Sequence, residues 1–364
     1  MLRTLKKLCL LNGISGSEEE VREYIKAQAL RCTDDVRTDR MGNLIVVKHA
    51  SNNAENCADN NTNCSCNAEN DAPLPKLMIA AHMDEVGFII NGITDKGFLK
   101  FAPVGGIDPR VVFNRRVWVG EKRIPGVTGL KAVHMSTPEE REEIPKWTSM
   151  YIDIGAKDKE EAEKLVNIGD CAAFYSDFVR FGKGDGFVKA KAIDDRCGCA
   201  IMLKLLEKDL PMDVTFVFTV QEEVGVRGAT AAAWSVKPDI ALILEGTTSA
   251  DLAGVDGHKK VTTIGGGPVI GFMDAGTIYD RKLFEALRDL ATENKLPWQI
   301  KGRIAGGTDA AAVQRSRSGV RVACLAAPVR SIHCPNSVAK TSDLKQCYTL
   351  TKLFVDAVAS GRIR

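Results

Sequence analysis

No apolar run in this chain approaches the roughly 18 residues that would suggest a membrane-spanning helix, so no membrane partner is expected. Charge of one sign is also missing. The formal net charge is +2, which offers no basic field to attract nucleic acid, and none is expected as a partner. Neither the Gly-x-Gly-x-x-Gly fingerprint nor a Walker-type loop occurs, so those phosphate cradles are excluded. No internal repeat is visible. Residues 1–10 carry Lys6 and Lys7 but not the apolar stretch and small-residue cleavage site of a secretory signal, so a cytoplasmic location is expected. Histidine is scarce, with five in 364 residues, so each one in a polar context carries weight.

What is present is ordinary for a soluble globular protein: 45% hydrophobic and 26% charged residues. The length suggests about two domains. Eleven cysteines are spread along the chain, several in apolar contexts such as Cys9, Cys171, Cys324 and Cys347. They read as reduced thiols rather than a disulfide framework.

Ser17 and Glu20 have the spacing of a capping box, followed by Val21, Tyr24 and Ile25 at helical spacing, which predicts a helix over 17–31. Residues 36–39 and 44–47 flank a Met-Gly-Asn turn and read as a hairpin. Residues 51–72 hold eight asparagines and Cys57, Cys64 and Cys66. That composition reads as a disordered surface insertion, since the cysteine spacing fits none of the usual zinc patterns. Residues 77–81 form a short apolar, buried strand. From 93 to 185 glycine, proline, valine and arginine recur without helical period, with one helix at 159–166. This reads as a small β-rich domain inserted into a main domain of residues 1–92 and 186–364. After Phe187, strands at 214–220, 240–244 and 320–325 alternate with helices at 196–208, 227–235, 279–294 and 342–359. Such alternation predicts an α/β fold, a mainly parallel sheet with helices on both faces.

Asp194 and Asp195 sit where the strand of residues 187–193 hands over to a helix. Alone they could simply cap that helix. They have company, however. His82 with Asp84, Glu222 with Glu223, Glu245, and His333 all fall at expected strand ends. Together these positions supply imidazoles and carboxylates to one edge of a sheet, which is what a divalent metal site requires.

The motifs that hold these residues are Ala81-His-Met-Asp-Glu-Val-Gly87, Ala192-Ile-Asp-Asp-Arg196, Gln221-Glu-Glu-Val-Gly225 with Gly228, Leu244-Glu-Gly-Thr247 with Ala250-Asp251, Gly307-Thr-Asp-Ala310, and Ser331-Ile-His-Cys-Pro335 with Asp343. In this order they resemble the tetrahedral aminopeptidase family of dinuclear metallopeptidases, which includes glutamyl, leucyl and deblocking aminopeptidases and members labelled endoglucanases. The resemblance implies a zinc-peptidase-like fold and two divalent ions per subunit, zinc or cobalt, with manganese also accepted. It implies that His82, Asp194 and Glu245 bind one ion, and that Asp194, Glu223 and His333 bind the other, with Asp194 bridging. Asp84 would orient His82, and Glu222 would serve as general base to a hydroxide bridging the metals. Three ligand carboxylates and that hydroxide would balance the charge of two divalent ions. The implied activity is removal of amino-terminal residues from short peptides. The implied assembly is a dodecamer built through the inserted domain, whose Val111, Val112, Phe113, Val117 and Trp118 exceed what so small a domain can bury. A cis Asp194–Asp195 peptide bond is also implied. The chain departs from the family at the 51–72 insertion and at Glu245, where many members have Asp. Asp251, Thr308 and Asp309 recur in the motifs without an assignable role, and Arg196 and Arg227 are either solvated or paired with ligand carboxylates.

Two rivals stand beside this reading. A glycosidase would use paired carboxylates such as Glu222 and Glu223, but neighbouring side chains on an extended chain diverge, and such an enzyme needs no histidines. A non-catalytic assembly protein could keep the fold without the chemistry, although every ligand position holds a competent side chain.

Overall fold

The computed structural model describes residues 1–51 and 73–364. The expected insertion at 51–72 therefore lies outside the described residues, apart from Ser51.

The chain opens with helices α1 (Leu2–Leu10) and α2 (Glu19–Ala29), followed by the hairpin β1 (Val36–Thr38) and β2 (Leu44–Lys48) and then strand β3 (Leu77–His82). It next forms a closed barrel of β4 (Gly87–Ile93), β5 (Leu99–Val104), β6 (Arg116–Val119), β7 (Ile124–Gly129), β8 (Tyr151–Asp153) and β9 (Cys171–Phe174), with the short helices α3 (Pro138–Glu142) and α4 (Lys159–Leu165) between them. The chain then returns through β10 (Val179–Phe181), β11 (Phe187–Ala190), α5 (Ile193–Leu206), β12 (Val214–Thr219), α6 (Arg227–Val236) and β13 (Ile240–Thr248). It closes with β14 (Val269–Ile270), α7 (Arg281–Glu293), α8 (Ala310–Gln314), β15 (Arg321–Arg330), β16 (Ser337–Lys340) and α9 (Thr341–Ala359).

The large sheet runs β1-β2-β12-β3-β13-β15-β16-β11-β10, with β14 added beside β15. It is mixed rather than mainly parallel. The four central strands β12, β3, β13 and β15 are parallel neighbours, and every flanking pair is antiparallel. The reason is connection length. A parallel pair needs a long crossover, which helices supply in the centre, whereas β1–β2 and β15–β16 are joined by short turns that permit only antiparallel pairing.

Side chains alternate across the central strands, so each strand feeds two cores. Leu77, Ile79 and Ala81 of β3 join Leu242 and Leu325 under α1, α2, α5, α7 and α9. Met78 and Ala80 face the other way, with Ala241, Ile243 and the alanines of α6 and α8. A strand buried on both faces reads as a continuous apolar run, which is why the central strands are plain in the sequence.

The barrel has its own core. Phe88 packs edge-on against Phe101 at 4.8 Å and Phe174 at 5.1 Å. Val112 and Val117 also lie inside it, so they are not the excess surface the sequence suggested. Phe113, at 51% exposure, is outside, and so are Val133, Met135, Ile144 and Ile168.

The capping box expected at Ser17 and Glu20 does not form. Helix α2 begins after Glu18, without a side-chain cap. Glu20 instead accepts from the Asn12 amide and pairs with Arg123 of the barrel. These partners have taken the Glu20 carboxylate that the local pattern would return to the start of the helix. Among the described residues no helix is long and apolar enough to cross a membrane.

Candidate metal centre

The residues at issue converge at the carboxyl ends of the parallel strands, the usual place for a site in an open α/β sheet. His82 ends β3, beside Thr219 at the end of β12. Glu222 and Glu223 follow β12, and Glu245 lies within β13. His333 sits in the turn between β15 and β16. Asp194 and Asp195 interrupt the first turn of α5, with backbone angles of φ −82°, ψ 112° and φ −118°, ψ 39°, and the peptide bond between them is cis.

Asp194 faces both histidines. Its Oδ1 lies 3.5 Å from His82 Nε2, and its Oδ2 lies 3.4 Å from His333 Nε2. Glu245 Oε1 is 3.4 Å from His82 Nε2, and Glu223 Oε1 is 3.2 Å from His333 Nε2. The opposite edge of each ring is engaged elsewhere. His82 Nδ1 lies 3.1 Å from the Asp84 carbonyl oxygen, and His333 Nδ1 lies 2.8 Å from the Gly106 carbonyl oxygen. A carbonyl oxygen only accepts, so Nδ1 donates in both rings, and a neutral ring then carries its lone pair on Nε2. Two such lone pairs aimed at carboxylate oxygens repel unless positive charge lies between them.

Burial lowers the basicity of His333, but Asp194 and Glu223 outweigh it and raise the imidazole to about 11. Burial likewise opposes protonation of His82, and Asp194, Asp84 and Glu245 overcome it. Burial pushes the carboxyls of Glu223 and Glu245 upward, against the pull of His333 and His82 respectively. Asp194 is the exception. Burial would raise it, but the two imidazoles hold it well below the carboxylate range. The cluster therefore calls for cations. Its donor atoms fit them, since ligand atoms around a tetrahedral zinc at 2.0–2.2 Å are about 3.3–3.6 Å apart. Imidazole together with carboxylate is a donor set for divalent metal ions.

The cleft beside these residues has a volume of about 390 Å³, and its walls include Glu222, Val226, Val261, Lys301 and Ile332. A model of the M42 glutamyl aminopeptidase family matches residues 62–350. The chain belongs to the M42 aminopeptidase family. A curated relative, a putative aminopeptidase of Acetivibrio thermocellus, is 37% identical over 98% of each chain. The TET aminopeptidase of the marine sediment archaeon Thaumarchaeota archaeon SCGC AB-539-E09 is 30% identical. Its structure covers 100% of this chain and 98% of its own, with a TM-score of 0.87. The Pyrococcus horikoshii TET1 peptidase, whose structure is described as assembling into a tetrahedron or a large octahedral shell, is 32% identical. It covers 97% of this chain and 98% of its own, with a TM-score of 0.80.

In this M42 chain the remaining residues take distinct places. Asp84 is fully buried and accepts four contacts: from His82 Nδ1 at 3.4 Å, Ser15 Oγ at 2.7 Å, and the amides of Glu222 and Glu223 at 3.0 and 3.1 Å. Glu222 lines the cleft, where desolvation raises its carboxyl well above normal, His82 draws it down, and Asp309, Glu223 and Asp194 push it further up. Asp195 lies within ligand reach of His82 and Glu245; its Oδ1 accepts the Gly198 amide at 3.0 Å, and its Oδ2 is buried without a hydrogen-bond partner. Gly246 must lack a side chain, because a Cβ there would come within 2.8 Å of Asp194 Oδ1. Its amide instead donates to that oxygen at 3.2 Å.

The motif residues without an assigned role now have partners. Asp309 accepts from Thr219 Oγ1 at 2.5 Å, and Thr308 meets the Tyr279 hydroxyl at 3.0 Å. Asp251 is held bidentately by Arg330, with both contacts at 2.7 Å. Arg196 is fully buried and pairs with Glu85, whereas Arg227 is exposed, so neither pairs with the clustered carboxylates. Ser15, Glu18, Thr219 and the Gly106 carbonyl were not visible beforehand. Backbone groups leave no residue-type signal, and the other three are ordinary polar residues far away in sequence.

Proposed function

We propose that the protein is a metal-dependent aminopeptidase that removes amino-terminal residues from short peptides. The observation that carries this reading is the division of Asp194, with one oxygen facing His82 and the other facing His333. It suits a carboxylate bridging two divalent ions. His82 and Glu245 would complete one ion, and Glu223 and His333 the other. Bound there, such ions supply Lewis acidity and lower the pKa of a coordinated water toward 7.

The chain's own residues do the rest. The carbonyl oxygens of Asp84 and Gly106 hold the two imidazoles with Nε2 facing the clustered carboxylates, where the ions would bind. Glu222 accepts the proton of the attacking water and delivers it to the departing amine as the C–N bond breaks. It lines the cleft beside the clustered ligands, and position is the first requirement of a general base. The test compares a short peptide with its acetylated twin. Cleavage of the first alone supports the reading, and equal cleavage of both contradicts it.

The reading extends to self-association into a TET-like shell, a dodecamer, with the barrel making contacts. Support comes from the apolar side chains it leaves on its surface, Phe113, Val133, Met135, Ile144 and Ile168, and from the assembly described for the Pyrococcus horikoshii relative. Light scattering is expected to show a large oligomer at micromolar concentration, and a monomer there would overturn this part. Free thiols such as Cys9, Cys197 and Cys347 fit a reducing cytoplasm.

A further inference from the structure

The segment before α2 does not belong to the sheet, yet it touches two of the pieces of chain that build the metal centre, at Asp84 and at Gln221. We propose that residues 13–18 are a positioning clamp for the site, and that Ser15 and Glu18 carry its grip. The proposal rests on the aminopeptidase reading above.

The clamp is anchored from behind. Arg196 Nη1 donates to the Leu8 carbonyl at 2.6 Å, and Lys191 Nζ donates to that of Leu11 at 2.7 Å. Both cations also reach Glu85 Oε1, at 3.4 and 2.5 Å, and that oxygen accepts the Gly13 amide at 3.1 Å. Glu85 and Arg196 each adjoin the site, one next to Asp84 and the other next to Asp195. A short parallel bridge between Ile14 and Glu85 completes the attachment, with hydrogen bonds from the Glu85 amide to the Gly13 carbonyl at 2.9 Å and from the Ser15 amide to the Glu85 carbonyl at 3.3 Å.

From this fixed base two side chains reach forward. Ser15 Oγ donates to Asp84 Oδ2 at 2.7 Å. One oxygen of Glu18 accepts the Gly16 amide at 2.7 Å and the Gln221 amide at 3.1 Å. Asp84 in turn holds the amides of Glu222 and Glu223. The clamp therefore fixes three consecutive amides, at 221, 222 and 223, either directly or through one carboxylate. Those residues include the base and a metal-facing carboxylate of the proposed site. Gln221 needs such support, because a non-glycine residue at φ +55° occupies a sparsely populated region.

Local helix geometry does not account for Glu18. It stands at the N-cap of α2, yet its side chain caps no amide of that helix. It is 3% exposed and bonds a residue 203 positions away. A carboxylate diverted from its own helix to the loop that carries Glu222 and Glu223 is placed for the site.

The experiment uses the full chain loaded with cobalt. It measures kcat, KM, bound metal and the visible absorption of the cobalt ions for Ser15→Ala, Ser15→Thr, Glu18→Ala and Glu18→Gln. Ser15→Ala and Glu18→Ala are expected to lower kcat by about 10–100-fold, as small displacements of catalytic groups do, with KM within about threefold of the parent. Metal content should be retained and the cobalt absorption should change. Ser15→Thr keeps the hydroxyl and Glu18→Gln keeps an accepting oxygen, so both should recover most of the lost kcat. Parental kcat and cobalt absorption in both alanine variants would overturn the proposal. Equal losses in the conservative variants would do the same, because they would point to general destabilisation. If Glu18→Ala does not fold, Ser15→Ala, which removes a single hydroxyl, decides the matter. If the parent lacks aminopeptidase activity, the functional reading fails, and the cobalt absorption of the Ser15 pair still judges the clamp.

Discussion

Asp84→Asn is the substitution whose consequences follow most closely from the geometry. The side chain keeps its size and loses its charge and one acceptor. Asp84 Oδ1 faces His82 Nδ1 and the Glu222 amide, while Oδ2 faces Ser15 Oγ and the Glu223 amide. An asparagine must turn its NH2 group toward one of these pairs. The milder choice is the Oδ2 side, because the Ser15 hydroxyl can rotate and accept, whereas backbone and ring N–H groups cannot. The Glu223 amide is then left unpaired in a buried place. An orphaned buried donor costs about 1–3 kcal/mol, and replacing charged by neutral hydrogen bonds costs about 1 kcal/mol more. The sum of about 2–4 kcal/mol corresponds to a fall in melting temperature of about 3–5 °C for a chain of this size. Loosening a group that orients a metal-facing histidine should weaken metal binding by about 10–100-fold. The assays are thermal melting of chelator-treated protein and zinc titration against a competing chelator. Parental melting together with parental zinc affinity would refute the reasoning.

Glu222→Gln should leave metal content unchanged and reduce turnover by about 10²–10⁴-fold, whereas Glu223→Gln should lose metal first. The opposite pattern, read from metal analysis and peptide hydrolysis, would exchange their roles. Asp251 is held down to about 2, first by Arg330, against a smaller opposing effect of burial, and further by Ser249 and the Ile264 amide. A depressed carboxylate stabilises the fold above its unfolded pKa near 4 and loses that contribution as the pH falls toward 2. Asp251→Asn should therefore cost about 1 kcal/mol at pH 7, after allowance for solvent screening at this partly exposed pair. In urea unfolding the gap from the parent should narrow between about pH 4 and pH 2, and a gap that stays constant would count against the ion pair.

Much of the core was legible in the sequence because burial on both faces leaves a continuous apolar signature, as in residues 77–81 and 240–244. The direction of the flanking strands was not, because pairing sense depends on connection length and partner choice rather than composition. Helix α1 was missed although Leu5, Leu8 and Cys9 recur at helical spacing, because so short a segment carries no side-chain cap to mark its start. The capping box failed for a related reason: Glu18 and Glu20 serve Gln221, Asn12 and Arg123, and tertiary partners overrode the local motif. At the site, the side chains that converge were all of recognisable ligand type. What aims them was hidden, since Gly106 contributes a carbonyl, Gly246 contributes the absence of a Cβ, and Ser15 reaches Asp84 across 69 residues of chain.

In the proposed reading, catalysis depends on metal held between His82, Asp194 and His333. The most direct test strips the protein with chelator, verifies metal removal by elemental analysis, and follows hydrolysis of a free amino-terminal peptide as zinc or cobalt is returned. No activity is expected in the stripped protein, and activity should rise until two equivalents per chain are bound. Full activity in the verified metal-free protein would contradict the reading.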